Sequence, residues 1–221
     1  SHADLRAYLE ERHIPYKPYY LVNGVEVHGD ALLRLTLLQR ADVAAVLDAP
    51  TIRPVRATGR GGPIQLAEEV PSPRGTAWDV AAVHAPDVWQ AGYTGQGVVV
   101  GVIGGGADWQ HPAVRDTFRG ANGNFDYAWL DAWRGAPEPE DVNALGTHTV
   151  GIVAGKDGIG VAPGAEWIAC RSLARDVGNV LMYLTCMQFT LAPYPRSGDA
   201  FTGGDPARGA DVIEAAWDCP V

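Results

Sequence analysis

Cysteine is scarce in this chain, with three in 221 residues: Cys170, Cys186 and Cys219. None belongs to a C-x-x-C pair, so a zinc site is not expected. Spacing alone leaves buried thiols and a disulfide both open. Basic residues are also in short supply, 17 Lys and Arg against 26 Asp and Glu, for a formal net charge of -9. That balance argues against nonspecific binding to nucleic acid or to an anionic membrane, because both need basic patches. No apolar run approaches the roughly 18 residues of a membrane span. The opening "SHADLRAYLEERH" lacks the basic start and apolar core of a secretory signal. No internal repeat or low-complexity tract occurs. What remains is an ordinary globular composition, 47% hydrophobic and 19% charged. It suits one medium domain, or one domain with a smaller companion.

Three regions separate by pattern. Residues 1–55 hold a short helix at "DLRAYLEERH" and a strand pattern at "YYLVNGVEVHGD", with Asn23-Gly24 as turn or bulge. A leucine-rich helix follows, with Asp30 as its N-cap. Residues 56–77 are rich in Gly, Pro and charge and read as a linker. From Trp78 onward strand and helix signals alternate. "VVVGVI" (98–103), "EWIACRSL" (166–173) and "ADVIEAAW" (210–217) read as strands. "TVGIVAG" (149–155) and "NVLMYLTCMQFTLAPY" (179–194) read as helices, the second stopping at Pro193. The alternation predicts an α/β fold, a parallel sheet with right-handed crossovers. Functional loops in such sheets lie at the carboxyl ends of the strands. Gly104, the residues after Leu173, and Ala216-Trp217-Asp218 fall there.

The three glycines at 104–106 first suggest a phosphate loop. A dinucleotide site needs G-x-G-x-x-G, and its third glycine is replaced here by Trp109. An indole there blocks the close helix-to-strand packing that a glycine permits. No G-x-x-x-x-G-K-[ST] occurs. A nucleotide-binding α/β domain is therefore the weakest of the readings.

The residues around the glycines point to other chemistry. "TGQGVVVGVI", "DWQHPAV", "GTHTVGIVAG", "IGVAPGAEWIACRSL" and "LAPYP", in this order and spacing, resemble the subtilisin-like serine proteases (subtilases). Within them the bacillopeptidase F-like branch is most similar. The resemblance covers residues 78–221, and residues 1–55 are more loosely similar to the end of an inhibitor-type propeptide. It implies a subtilisin-like parallel sheet with helices on both faces, of which 78–221 is the N-terminal half. A small, partial α+β propeptide domain precedes it, joined by the linker that would carry the processing site. It also implies a secreted serine endopeptidase whose partners are peptide or protein substrates and its own propeptide as intramolecular inhibitor.

Such enzymes use an Asp–His–Ser triad, in that chain order. The histidine takes the serine proton, and the aspartate fixes the histidine tautomer and stabilises its charged form. In the family the acid stands seven residues before the His-Pro pair, which here is Gly104 counted back from His111. The base opens a helix as H-G-T-H, and "LGTH" puts Leu145 in its place. The nucleophile position lies beyond Val221. Gly104 and Leu145 have no ionisable side chain, so the chain is expected to be catalytically incompetent as it stands. Asp108 lies past the strand end, and His148 leaves the helix at a different angle from residue 145. Neither is expected to substitute, and His111 and His148 read as framework.

The resemblance makes Ala216, Trp217 and Asp218 the substrate-binding strand, in place of the family's Ser-Trp-Gly. It also puts Glu214 and Ala215 where relatives have two asparagines, and Ala144 where a glycine is usual. A pseudoprotease that binds peptides without cutting them is the alternative reading. No cofactor is implied. Calcium binds some members, but Ala113 stands where some relatives have an aspartate ligand. Asp126, Asp131, Glu138, Glu140 and Asp141 read as solvated surface. The secreted branch favours oxidation, so a Cys170–Cys186 bridge is expected, with Cys219 left over.

Overall fold

The computed structural model describes residues 3–49, 51–52, 75–174 and 177–215. Most of the linker, the expected substrate strand Ala216–Trp217–Asp218 and Cys219 lie outside the described residues.

The N-terminal region begins with α1 (Ala3–Glu11), followed by an antiparallel hairpin of β1 (Tyr16–Tyr19) and β2 (Gly24–Val27). Asn23 adopts a left-handed φ of 47°, so Asn23-Gly24 is a turn and not a bulge within one strand. The strand expected from Tyr19 onward is thus two shorter ones. Next is α2 (Ala31–Leu38), capped as the sequence predicts, with Leu33 N–H donating to Asp30 Oδ1 at 2.9 Å. The two-residue β3 (Thr51–Ile52) closes the region.

After the linker come α3 (Trp78–Ala82) and α4 (Ala85–Gln90), then β4 (Val99–Gly104). Then follow β5 (Trp129–Asp131), α5 (Leu145–Ala154), β6 (Glu166–Arg171), β7 (Leu173–Ala174) and β8 (Val177–Asn179). The described chain ends with α6 (Val180–Leu191) and β9 (Val212–Ala215). The main sheet runs β5-β6-β4-β9 and its pairings are all parallel. A smaller antiparallel sheet runs β3-β8-β7.

Strand alternation assigns the two faces of the main sheet. Val100 and Val102 of β4, with Trp167 and Ala169 of β6, join Val150 and Ala154 of α5 in one core. Ile103, Ile168 and Cys170 face the other way, onto Cys186 and Phe189 of α6. Both faces of the central strands are covered, which is why they read as continuous apolar runs without polar alternation. The α5 core is closed by aromatics: the Phe118 and Trp167 rings lie 4.3 Å apart, and the Trp167 indole donates to the Val114 carbonyl at 2.8 Å. On the α6 side, Cys170 and Cys186 form the expected disulfide.

The N-terminal hairpin leans on α6. Lys17 Nζ donates to Thr185 Oγ1 at 2.8 Å, and Tyr20 N–H donates to Gln188 Oε1 at 2.7 Å. The Tyr20 hydroxyl donates to the Gln188 carbonyl at 3.0 Å, and its ring meets Phe201 edge-on. Tyr19 is buried, and its hydroxyl donates to Glu26 Oε2 at 2.8 Å.

The acidic segment is not all solvated surface, as the sequence reading had it. Asp131 ends β5 and is 4% exposed, held by the equally buried Arg171 through paired contacts to both carboxylate oxygens. Burial works against the Asp131 charge, but Arg171 and the backbone N–H groups of Ala136 and Trp133 outweigh it, so the carboxyl sits below its ordinary range. Glu140 binds the remaining Arg171 nitrogen at 2.6 Å, and also Arg134 at 2.9 Å.

Candidate active site

Gly104 is the last residue of β4, and its carbonyl accepts a 2.9 Å hydrogen bond from Ser172 N–H. A Cβ built there would meet nothing within 4 Å. The space for a side chain is present and the side chain is not. One residue on, a Cβ at Gly105 would lie 3.4 Å from Asn143 Oδ1.

Gly106 is under a different constraint. Its φ is +117°, it forms a backbone bridge with Asp141, and a Cβ would fall 1.9 Å from the Glu140 carbonyl oxygen. Gly146, in the first turn of α5, would put a Cβ 1.8 Å from the Gly106 carbonyl oxygen. The backbone of the strand exit and the start of α5 are therefore in direct contact.

The N-terminus of α5 is built by the loop before it. Ala144 is the N-cap residue at φ 62°, a left-handed position that favours glycine, and it offers no side-chain cap. Asn143 Oδ1 instead accepts from Leu145 N–H at 3.2 Å. Asp141 Oδ2 accepts from Thr147 N–H at 2.8 Å and from the Thr147 hydroxyl at 2.6 Å. The same hydroxyl accepts from Asp108 N–H at 2.8 Å, tying the loop after β4 to the helix. A carboxylate bonded to this first turn from the preceding loop also suits the positive end of the helix dipole.

These contacts bring Gly104 and Leu145, far apart in sequence, to the wall of one small cavity with no room for a water molecule. Gly105, Gly146, Thr149 and Glu214 share that wall. Sequence reasoning had placed Gly104 and Leu145 but gave Glu214 only as a replaced asparagine. Its position follows from the β9 register, with Glu214 opposite Val102, and no local pattern reveals that register. Burial pushes the Glu214 carboxyl above its ordinary range.

His148 stands on another side of α5. With His111, Asp79 and Ala113 it lines a separate, wider cleft of about 460 Å³. His111 Nδ1 accepts from Ala113 N–H at 3.3 Å, a local loop contact. Asp108 is exposed and its carboxylate accepts from Gln110 N–H at 3.1 Å. Around Ala113, as elsewhere among the described residues, no group of three or more His, Cys, Asp or Glu side chains is arranged to hold a metal ion. No described helix is long and apolar enough to cross a membrane.

The edge that leads away from the site is already occupied. β3 pairs antiparallel with β8, Thr51 opposite Asn179 and Ile52 opposite Gly178. A segment of the N-terminal region thus adds a strand to the β7–β8 hairpin, which follows directly from the end of β6. Sequence patterning carried no signal for so short a pairing.

The subtilase family model matches residues 95–217. Bacillopeptidase F of Bacillus subtilis (strain 168) is 32% identical over 210 residues, covering 90% of this chain and 14% of its own length. Minor extracellular protease Vpr of the same organism is 34% identical over 117 residues, 50% of this chain and 14% of its own. Subtilisin BL of Lederbergia lenta is 33% identical over 103 residues, 45% of this chain and 34% of its own. The chain thus spans a minor part of the relatives it matches. The matched segment contains β4, α5, β6, α6 and β9, the elements that build the cavity and its supporting sheet, and the chain belongs to the subtilase family of serine peptidases.

Proposed function

We propose that this chain is a subtilase unit that holds an extended peptide segment without cutting it. Residues 1–55 act as the inhibitor-type propeptide region, 56–77 as linker, and 78–221 as the N-terminal half of a peptidase-like domain. The observation that carries the reading is the cavity shared by Gly104 and Leu145, the acid and base positions of the family, with no ionisable side chain at either. Without a base at 145, no imidazole stands there to withdraw a proton from a serine hydroxyl supplied by any other part of the protein. The antiparallel pairing of β3 with β8 supports the holding role, because strand addition is how an extended peptide binds a sheet edge. The contacts of Lys17 and Tyr20 with α6 anchor the region that delivers β3. A peptide or protein ligand is the partner in this reading, with the N-terminal region as intramolecular occupant.

Secretion is part of the proposal. The Cys170–Cys186 bridge fits an oxidising compartment, and one relative is named an extracellular protease.

The test is incubation of the purified chain at neutral pH, followed by intact mass measurement and titration with extended peptides. The expected result is one unchanged mass and saturable peptide binding. A defined self-cleavage within 56–77 would overturn the inactivity, and no saturable binding would overturn the holding role.

A further inference from the structure

Two buried side-chain oxygens among the described residues have no hydrogen-bond partner: Ser172 Oγ and Glu214 Oε2. Each lies on a chain segment flanking β4. Ser172 follows β6 and is bonded through its N–H to the Gly104 carbonyl. Glu214 lies on β9, on the other side of β4. Leaving such groups unpaired is costly, and of the two Glu214 lines the cavity beside Gly104.

The sheet register shows which face each residue uses. Glu214 is opposite Val102, and Val102 belongs to the α5 core. Gly104 is two residues beyond Val102, so its side-chain direction is on that same face. The Cβ positions of 104 and 214 are then about 8 Å apart, one strand across and two residues along. A glutamate, with one methylene more than an aspartate, reaches forward across much of that gap.

We propose that Glu214 is the carboxyl of this site, supplied from β9 in place of a side chain on β4. This chain has leucine at 145, and the Glu214 carboxyl is placed to pair with a cationic ring if that position carries one. This rests on the reading of Gly104 and Leu145 as the acid and base positions. With a ring at 145, the Glu214 carboxylate and the protonated ring would form an ion pair.

Other charged groups nearby are already engaged. Arg171, opposite Gly104 on β6, is held by Asp131 and Glu140. Asp141 is bonded to Thr147. His148 faces the separate cleft with His111 and Asp79. Of the residues lining the small cavity, Glu214 alone is ionisable.

The experiment is NMR titration of the imidazole introduced by Leu145→His in the full chain. It is repeated with Glu214→Gln added, and with Gly104→Asp added. The inference expects Leu145→His alone to give a proton affinity at least tenfold above that of an ordinary histidine, one pKa unit over about 6.5. Adding Glu214→Gln should remove the increase. If Leu145→His titrates normally and only the pair with Gly104→Asp is raised, Glu214 is not the carboxyl, while the positional reading stands. If neither is raised, both fall. A second measurement needs no change at 145. In the unsubstituted chain, the Gly105 and Thr149 amide signals should follow one titration above about 4.3, the ordinary glutamate value, and Glu214→Gln should abolish it. Persistence of that titration in Glu214→Gln, or its absence from the unsubstituted chain, overturns the inference.

Discussion

Gly104 and Gly106 are two residues apart at the exit of one strand, and the fold treats them oppositely. Around Gly106 the backbone of three segments is in contact, and a single added carbon would collide with Glu140. Around Gly104 a side chain has open space. The pair Gly106–Gly146 fixes how α5 meets the sheet, whereas Gly104 and Leu145 face the cavity that this junction creates. Architecture and chemistry are therefore separable here. The backbone is constrained at Gly106 and Gly146, while Gly104 and Leu145 contribute no ionisable side chain to the wall they share.

The largest expected effect breaks the first half of that contrast. Gly106→Ala incurs about 1–3 kcal/mol for a non-glycine residue at positive φ. Displacing the Glu140 backbone adds about 1–3 kcal/mol of overpacking. Together they predict a loss of about 4 kcal/mol, read as a lower midpoint in urea unfolding. A change within about 0.5 kcal/mol would mean that the strand exit and the Glu140–Asp141 backbone are not in the contact described.

The next effect concerns the opposite face of the sheet. On β6, Cys170 points to α6 and Arg171 to the α5 side. The disulfide closes a loop with a sequence separation of 16. Replacing both cysteines with alanine should cost about 3 kcal/mol on the chain-entropy account. Amide exchange should accelerate most in α6, where Thr185 and Gln188 hold the N-terminal hairpin. The Gly146–Ala154 amides should lose less protection than those of α6. Equal losses on both faces would show that the sheet does not insulate the cavity from its support.

Local physics explains which features were legible in sequence. The run at 98–103 announced a strand covered on both faces, and the small residues of α5 announced a closely packed helix. Counting from His111 and from "LGTH" located Gly104 and Leu145, and the structure brings both to one wall. The missed features depend on partners distant in sequence. β5 has three residues and, among the described residues, pairs only with the end of β6, so its own pattern gave too little signal. Asp131 looked like one more acid in a polar loop until Arg171, forty positions later, buried it. Glu214 gained its place from the β9 register, and β3 from a two-residue pairing. Each is a non-local pairing, and nothing in a short window of residues encodes its register.

The smallest expected effect tests the second half of the contrast. Gly104 ends a regular parallel strand, its φ is outside the left-handed region, and a Cβ there meets nothing within 4 Å. Gly104→Ala is therefore compatible with the folded backbone. Its main action is on the unfolded chain, where alanine has fewer accessible conformations than glycine. The folded state should gain about 0.4–1 kcal/mol, read as a raised urea midpoint with an unchanged slope. The sign is the discriminating result. The same substitution two residues apart should stabilise at 104 and destabilise severalfold more at 106. Destabilisation at 104 would mean that the open corner is a constrained one, and that its missing side chain is a requirement of the fold.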